Sequence, residues 1–385
     1  MQVYLDNAAT TALDQRVLKK MLPFFNKNYG NASSIHDLGQ EAFDALQKAK
    51  KNVAHLLGGH ENGVIFTSGA TEANNFIIKG VALANQSAKK NKIIISAIEH
   101  PCVRESAKQL ARAGFIVEIL PVNKDGLVNP NNLRKIIDKR TILVSVMAVN
   151  NEVGTIQEIE KLAKITHQFG AYFHTDAAQA VPTIKFNVKK MGIDFLSLSA
   201  HKFYGPKGVG VAYLNRQIKI KPLITGGGQE DGLRSGTYNL PGIIGLSEAL
   251  ALAYQERNTY LKKIKSLSIY FWKKVKKEIP EVKLNGSAIK RAPNNINLMF
   301  SFVEGEAILI DLSQKGIYVS TGSACSAADL RASYVLKAMG QDKHFLNSNI
   351  RFSFGRFNTK KEIDYTVKEL KKTINRLRSF SPLVK

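Results

Sequence analysis

The stretch "KIIISAIEHPCVRESAKQLARAG", residues 92–114, sets a short β-branched run directly before an amphipathic helical segment. The same unit recurs along the chain. "GVIFTSG" (63–69) precedes "ATEANNFIIKGVALANQ" (70–86), and "RTILVSVMAVN" (140–150) leads to "EIEKLAKITHQFG" (158–170). "AYFHTD" (171–176) and "IDFLSLSAHK" (193–202) continue the series. Buried β runs separated by helices predict a parallel, doubly wound α/β sheet. After about Leu250 longer, charged helices with fewer strands predict a second α+β domain.

The remaining composition narrows the class. Apolar residues make up 44% and charged residues 22% of 385, the balance of a globular protein with room for two cores. No apolar run has the length of a membrane-spanning helix. "MQVYLDNAAT" lacks a basic stretch followed by an apolar one, so no secretory leader is expected. Two cysteines make no disulfide framework, and a reducing cytoplasm is the expected compartment. Fifty-five Lys and Arg against thirty-one Asp and Glu give a net charge of +24. Part of it falls in residues 261–278 and 369–378, whose helical spacing predicts solvated faces of packed helices. A surface for RNA or an acidic protein is the alternative.

Reactive side chains collect at the carboxyl ends of the predicted strands: Thr67 and Ser68, Glu99 and His100, Asn150 to Glu152, Asp176, then His201 and Lys202. In open α/β sheets that edge binds ligands. Gly69, Ala70 and Thr71 open a helix whose free N–H groups suit a phosphate, although a glycine turn before a helix is commonly only structural. Asp176 either caps the following helix or holds a ring nitrogen protonated, with Gln179 in reach of the same ring. Lys202, after a buried run, is placed to be a desolvated nucleophilic amine. Arg351, between Ile350 and Phe352, suits a substrate carboxylate or an inter-domain salt bridge.

Taken in order, "YLDNAATT", "GNASSIH", "FTSGATEANN", "VNNEVG", "HTDAAQ", "SAHKFYGPKG", "GGGQEDGLRSGT", "STGSACSA" and "RFSFGRF" resemble the NifS/IscS-like cysteine desulfurases of the class V aminotransferase family. The resemblance covers essentially the whole chain. It implies a fold-type I pyridoxal-phosphate enzyme with a mostly parallel seven-stranded sheet. Its large domain would span 12–250, and residues 1–11 with 251–385 would form the small one. Lys202 would carry pyridoxal 5'-phosphate, Asp176 would pair with its ring nitrogen, Gln179 would meet its phenolic oxygen, and His100 would stack on the ring and shuttle protons as a catalytic residue. Ala70, Thr71, Ser199 and His201 would hold the phosphate, and Thr237 would reach the phosphate of a neighbouring subunit in a homodimer. Asn151 and Arg351 would bind the carboxylate of L-cysteine. No metal site is assigned.

Cys325 would take the substrate's sulfur as a persulfide, leaving L-alanine, and pass it to acceptor proteins for iron–sulfur assembly or tRNA thiolation, with transient tRNA contact possible. "TGSAC" and the spacing from Cys325 to Arg351 resemble the branch with a long cysteine loop. A selenocysteine lyase, or another lyase of this fold, is the alternative. Cys102 reads as a small residue beside the cofactor, with a second sulfur acceptor as the competing reading. The final "SPLVK" stops short of the tail many IscS-like members use to dock a scaffold protein, so that docking mode is not expected.

Overall fold

The computed structural model describes residues 1–321 and 332–380. The strands are β1 (Val3–Tyr4), β2 (Val64–Thr67), β3 (Lys92–Ser96), β4 (Ile116–Leu120), β5 (Thr141–Ser145), β6 (Tyr172–Asp176), β7 (Phe195–Ser199), β8 (Gly210–Leu214), β9 (Val282–Asn285), β10 (Asn295–Phe300), β11 (Ile317–Tyr318) and β12 (Asn349–Ser353). The helices are α1 (Gln15–Met21), α2 (Pro23–Asn26), α3 (Asp37–Leu57), α4 (Ala70–Asn85), α5 (Pro101–Arg112), α6 (Pro130–Ile136), α7 (Ile159–Gln168), α8 (Leu240–Gln255), α9 (Arg257–Glu278), α10 (Gly305–Gln314), α11 (Tyr334–Ala338) and α12 (Lys360–Ser379).

Seven strands form the central sheet in the order β2-β8-β7-β6-β5-β3-β4. All neighbours run parallel except β8, which is antiparallel to both β2 and β7. The continuous apolar runs follow from burial on both faces. Val64, Phe66, Ile94, Val144, Leu196 and Leu198 pack with α3, α7 and α8, while Ile65, Ile93, Ile95, Phe195 and Ala212 pack with α4 and α5. Beside β3 the register of β5 slips between Thr141 and Leu143, which places Ile142 and Leu143 in the same apolar cluster. The edge strand β4 is more exposed, with Ile119 at 49%.

A further apolar cluster joins Val3 and Leu5 to Ile264, Phe271, Phe300, Phe352 and Ile363. It is built on the antiparallel sheet β12-β10-β9 and on the parallel pair β1-β11, which ties the N-terminus to the C-terminal third. The basic stretch in α9 buries Ile264, Leu267, Phe271 and Val275 and leaves Lys262, Lys265, Lys273 and Lys276 exposed, the solvated face its spacing predicts. No helix among the described residues is long and apolar enough to cross a membrane.

Candidate active site

A cavity of about 520 Å³ opens at the carboxyl edge of the central sheet. Ala70, Thr71, His100, Asn151, Asp176, Gln179, Ser199, His201, Lys202 and Arg351 all line it. Two expected residues are not among them. Thr237 is exposed and lines two small clefts, one with Phe24, Tyr29 and Gly30 and one that shares Ser68 and Gly208 with the cavity. Cys325 lies outside the described residues.

Asp176 ends β6 and is 4% exposed. Its oxygens accept from Asn74 Nδ2 at 2.7 Å and from the Ala178 main-chain N–H at 2.9 Å. Both donors are neutral, and among the described residues Asp176 forms no ion pair. A carboxylate this buried is costly without a cation, so the site suits a protonated ring nitrogen.

Strand β7 ends at Ser199, and Lys202 follows in a short 3₁₀ turn rather than on the strand itself. Its Nζ donates to the carbonyls of Ala8 at 2.8 Å and Ala9 at 2.7 Å. Gln179 Nε2 donates to the same Ala8 carbonyl at 2.8 Å. The N-terminal "DNAA" segment therefore forms one wall, a role its sequence position gave no means of assigning. His201 Nδ1 lies 3.1 Å from Thr10 Oγ1. Burial, aided by Lys202 and Lys207, pushes its pKa down to about 4, so it is neutral near pH 7.

At the start of α4, Gly69 adopts φ 156° and ψ 178°, a conformation essentially reserved for glycine, and no side chain caps the helix. The first-turn amides thus face the cavity with no side-chain cap. Gly210 allows the approach that brings this turn against β8, because a Cβ there would fall 2.6 Å from Gly69 Cα. Glu72, in the same first turn, is bound to Arg234 at 2.8 Å, which lowers its pKa against the opposing effect of burial and offsets its repulsion of an anion. Uncapped amides, the nearby Ser199 hydroxyl and a neutral His201 suit a phosphate group.

Arg351 comes from β12, on the far side of the cavity, and is 3% exposed. Its Nη2 is 2.7 Å from Asp6 Oδ1 and its Nη1 donates to the Asn151 carbonyl at 3.0 Å. Its Nε and Asn151 Oδ1 are buried without a hydrogen-bond partner among the described residues. Arg351 thus lines the cavity and is paired with Asp6, which the expected division puts in the same small domain rather than across a domain boundary.

Sequence reasoning passed over Asp6 and Asn74. Asp6 is visible in the sequence only as part of the N-terminal motif, and Asn74 only as part of "FTSGATEANN", with no role assigned to either. Cys102, on α5, lines the cavity, and burial pushes its thiol up to about 12. That environment disfavours the thiolate a second sulfur acceptor needs.

These features agree with what known proteins share with this chain. The aminotransferase class-V family model matches residues 3–366. Cysteine desulfurase IscS of Dictyoglomus turgidum is 46% identical over 381 residues, covering 99% of this chain and 96% of that one. Cysteine desulfurase of Rattus norvegicus is 46% identical over 384 residues, covering 99% and 84%. A solved NifS-like protein superposes with a TM-score of 0.92 at 39% identity, covering 98% of this chain and 100% of that one. The chain belongs to the class-V aminotransferase family and, within it, to the NifS/IscS-like cysteine desulfurases.

Proposed function

We propose that this protein removes sulfur from L-cysteine, releases L-alanine and stores the sulfur as a persulfide on Cys325, with pyridoxal 5'-phosphate held in the cavity. The observation that carries this reading is a buried carboxylate, Asp176, that forms no ion pair among the described residues and lines the same cavity as the Lys202 amine. When bound, pyridoxal phosphate supplies an electron sink for charge developing at the substrate's α-carbon.

Lys202 is the residue that would carry the cofactor covalently, and its Nζ would afterwards take the substrate's α-proton. Asp176 would hold the ring nitrogen protonated, and Gln179 and His100 would fix the ring's edge and face. The α4 amides, Ala70, Thr71, Ser199 and His201 would hold the phosphate, and Thr237 that of a neighbouring subunit. Arg351 and Asn151 would orient the substrate carboxylate, with Asp6 competing for the same guanidinium.

Both ends of the segment carrying Cys325 attach beside these residues. Ser320 exchanges main-chain hydrogen bonds with Arg351, and the Ser333 hydroxyl donates to buried Glu152 Oε2 at 2.5 Å. That attachment supports Cys325 as the acceptor. A homodimer is supported by the exposed Thr237 and by exposed Phe25, Tyr29 and Ile35. We divide the chain into a large domain at 12–250 and a small one from 1–11 and 251–385; the apolar clusters on the two faces of the central sheet support the first, and the cluster joining Val3 and Leu5 to Phe271 and Phe352 supports the second. A cytoplasmic setting, and acceptors serving iron–sulfur assembly or tRNA thiolation, complete the reading. The test is Cys325→Ser: it should keep the cofactor's visible absorbance yet form no persulfide and release no sulfur. Normal turnover by that variant would overturn the assignment.

A further inference from the structure

His100 is the N-cap residue of α5, and its Nδ1 accepts from the Cys102 main-chain N–H at 3.3 Å. A peptide N–H can only donate, so Nδ1 presents a lone pair and the neutral ring carries its proton on Nε2. The Cys102 sulfur lies 3.0 Å from the same Nδ1. Facing a lone pair, the thiol must be the donor in that contact. The sulfur's role as acceptor is also filled, because Asn74 Nδ2 lies 3.2 Å from it. The Asn74 amide is held in this orientation: Nδ2 also donates to Asp176 Oδ2 at 2.7 Å, and turning the amide round would set two oxygens against each other there. Asn74 therefore donates to both Asp176 and Cys102, and Cys102 donates to His100.

We propose that Cys102 is a positioning residue whose S–H···Nδ1 bond keeps His100 neutral, with its proton on the Nε2 atom left for a ligand in the cavity. Protonation at Nδ1 would set a new N–H against two existing donors. The positive end of α5 opposes it as well. Burial of the imidazole and the Lys202 charge, from the turn after β7, act in the same direction, while Asp176 on β6 opposes them. Thr71 on α4 and Glu99 beside His100 face the sulfur, and the raised thiol pKa keeps the S–H bond intact at neutral pH. His100 thus meets the cavity as a neutral N–H donor.

The test uses the holoenzyme carrying ¹⁵N-histidine, with His100 assigned by its loss in His100→Gln. Ring ¹⁵N shifts should show the Nε2–H tautomer in the unsubstituted protein. Cys102→Ala should raise the His100 titration midpoint by about half to one pH unit, the effect of removing one hydrogen bond. Cys102→Ser, which keeps a donor, should restore it. The acid limb of the kcat/KM profile should move with the midpoint. A proton on Nδ1, an unmoved midpoint in Cys102→Ala, or an equal shift in Cys102→Ser would each overturn the proposal. The ¹⁵N readout does not depend on desulfurase turnover, so it fails or stands separately from the proposed function.

Discussion

The two walls of the cavity are built differently. On the sheet wall Asp176, Lys202, Gln179 and His201 have their hydrogen bonds made, and they sit on strand ends or tight turns of one buried sheet. Asn74 Oδ1 lines that wall, and Glu99 Oε2 lies buried behind it, both without a hydrogen-bond partner among the described residues. On the opposite wall Arg351 and Asn151 keep buried polar atoms unpartnered among the described residues, and the Arg351 charge is shared with Asp6. A rigid wall whose hydrogen bonds are largely made and whose Asp176 lacks only a cation suits a group that stays, whereas unpartnered atoms beside an exchangeable ion pair suit a ligand that comes and goes.

The sharpest way to break that distinction is to strip the sheet wall. Lys202→Ala should abolish the cofactor's absorbance band and lower kcat by about 10⁴-fold; a persisting band would mean that the covalent site lies elsewhere. On the other wall, Arg351→Ala should leave the absorbance intact and raise KM for L-cysteine by about 10²-fold, the weight of a charge-assisted hydrogen bond. Equal loss of cofactor and substrate binding would erase the difference between the walls.

Asp6→Asn should have a smaller effect of opposite sign. It frees the guanidinium and should lower KM by roughly threefold. A raised KM would show that Asp6 orients Arg351 rather than competing for it.

The smallest expected effect concerns stability. Glu99 is fully buried behind the sheet wall, just before His100, and burial pushes its pKa up to about 8 even though Ser96 and Met147 donate to it. In the window from 4.5 to about 8 the folded state holds the proton that the unfolded state has lost. Stability from this group is therefore complete below pH 4.5 and lost as pH rises through about 8. Thermal unfolding of Glu99→Gln should show a flatter decline across that range than the unsubstituted protein.

Much of the sheet and its reactive edge was legible because burial on both faces forces continuous β-branched runs, and polar side chains at their ends stand out against them. The reversed direction of β8 was not legible, since "GVAYL" carries a burial pattern but no sign of polarity. The Asp6–Arg351 pair was hidden for another reason. Its members lie 345 positions apart and meet only because β1 pairs with β11 and Asp6 bridges to Ser353. Asn74 was missed because its helix face is otherwise apolar, and its partner Asp176 arrives from a different strand. Spacing reveals the groups on one element, and topology alone reveals which elements meet.

The most direct measurement is peptide mass spectrometry of the holoenzyme after one turnover with L-cysteine, with alanine quantified in parallel. The expected result is one added sulfur on the peptide bearing Cys325, one alanine released per sulfur, and Cys102 unmodified. Alanine released with no sulfur on Cys325, or sulfur carried by Cys102 instead, would contradict the account.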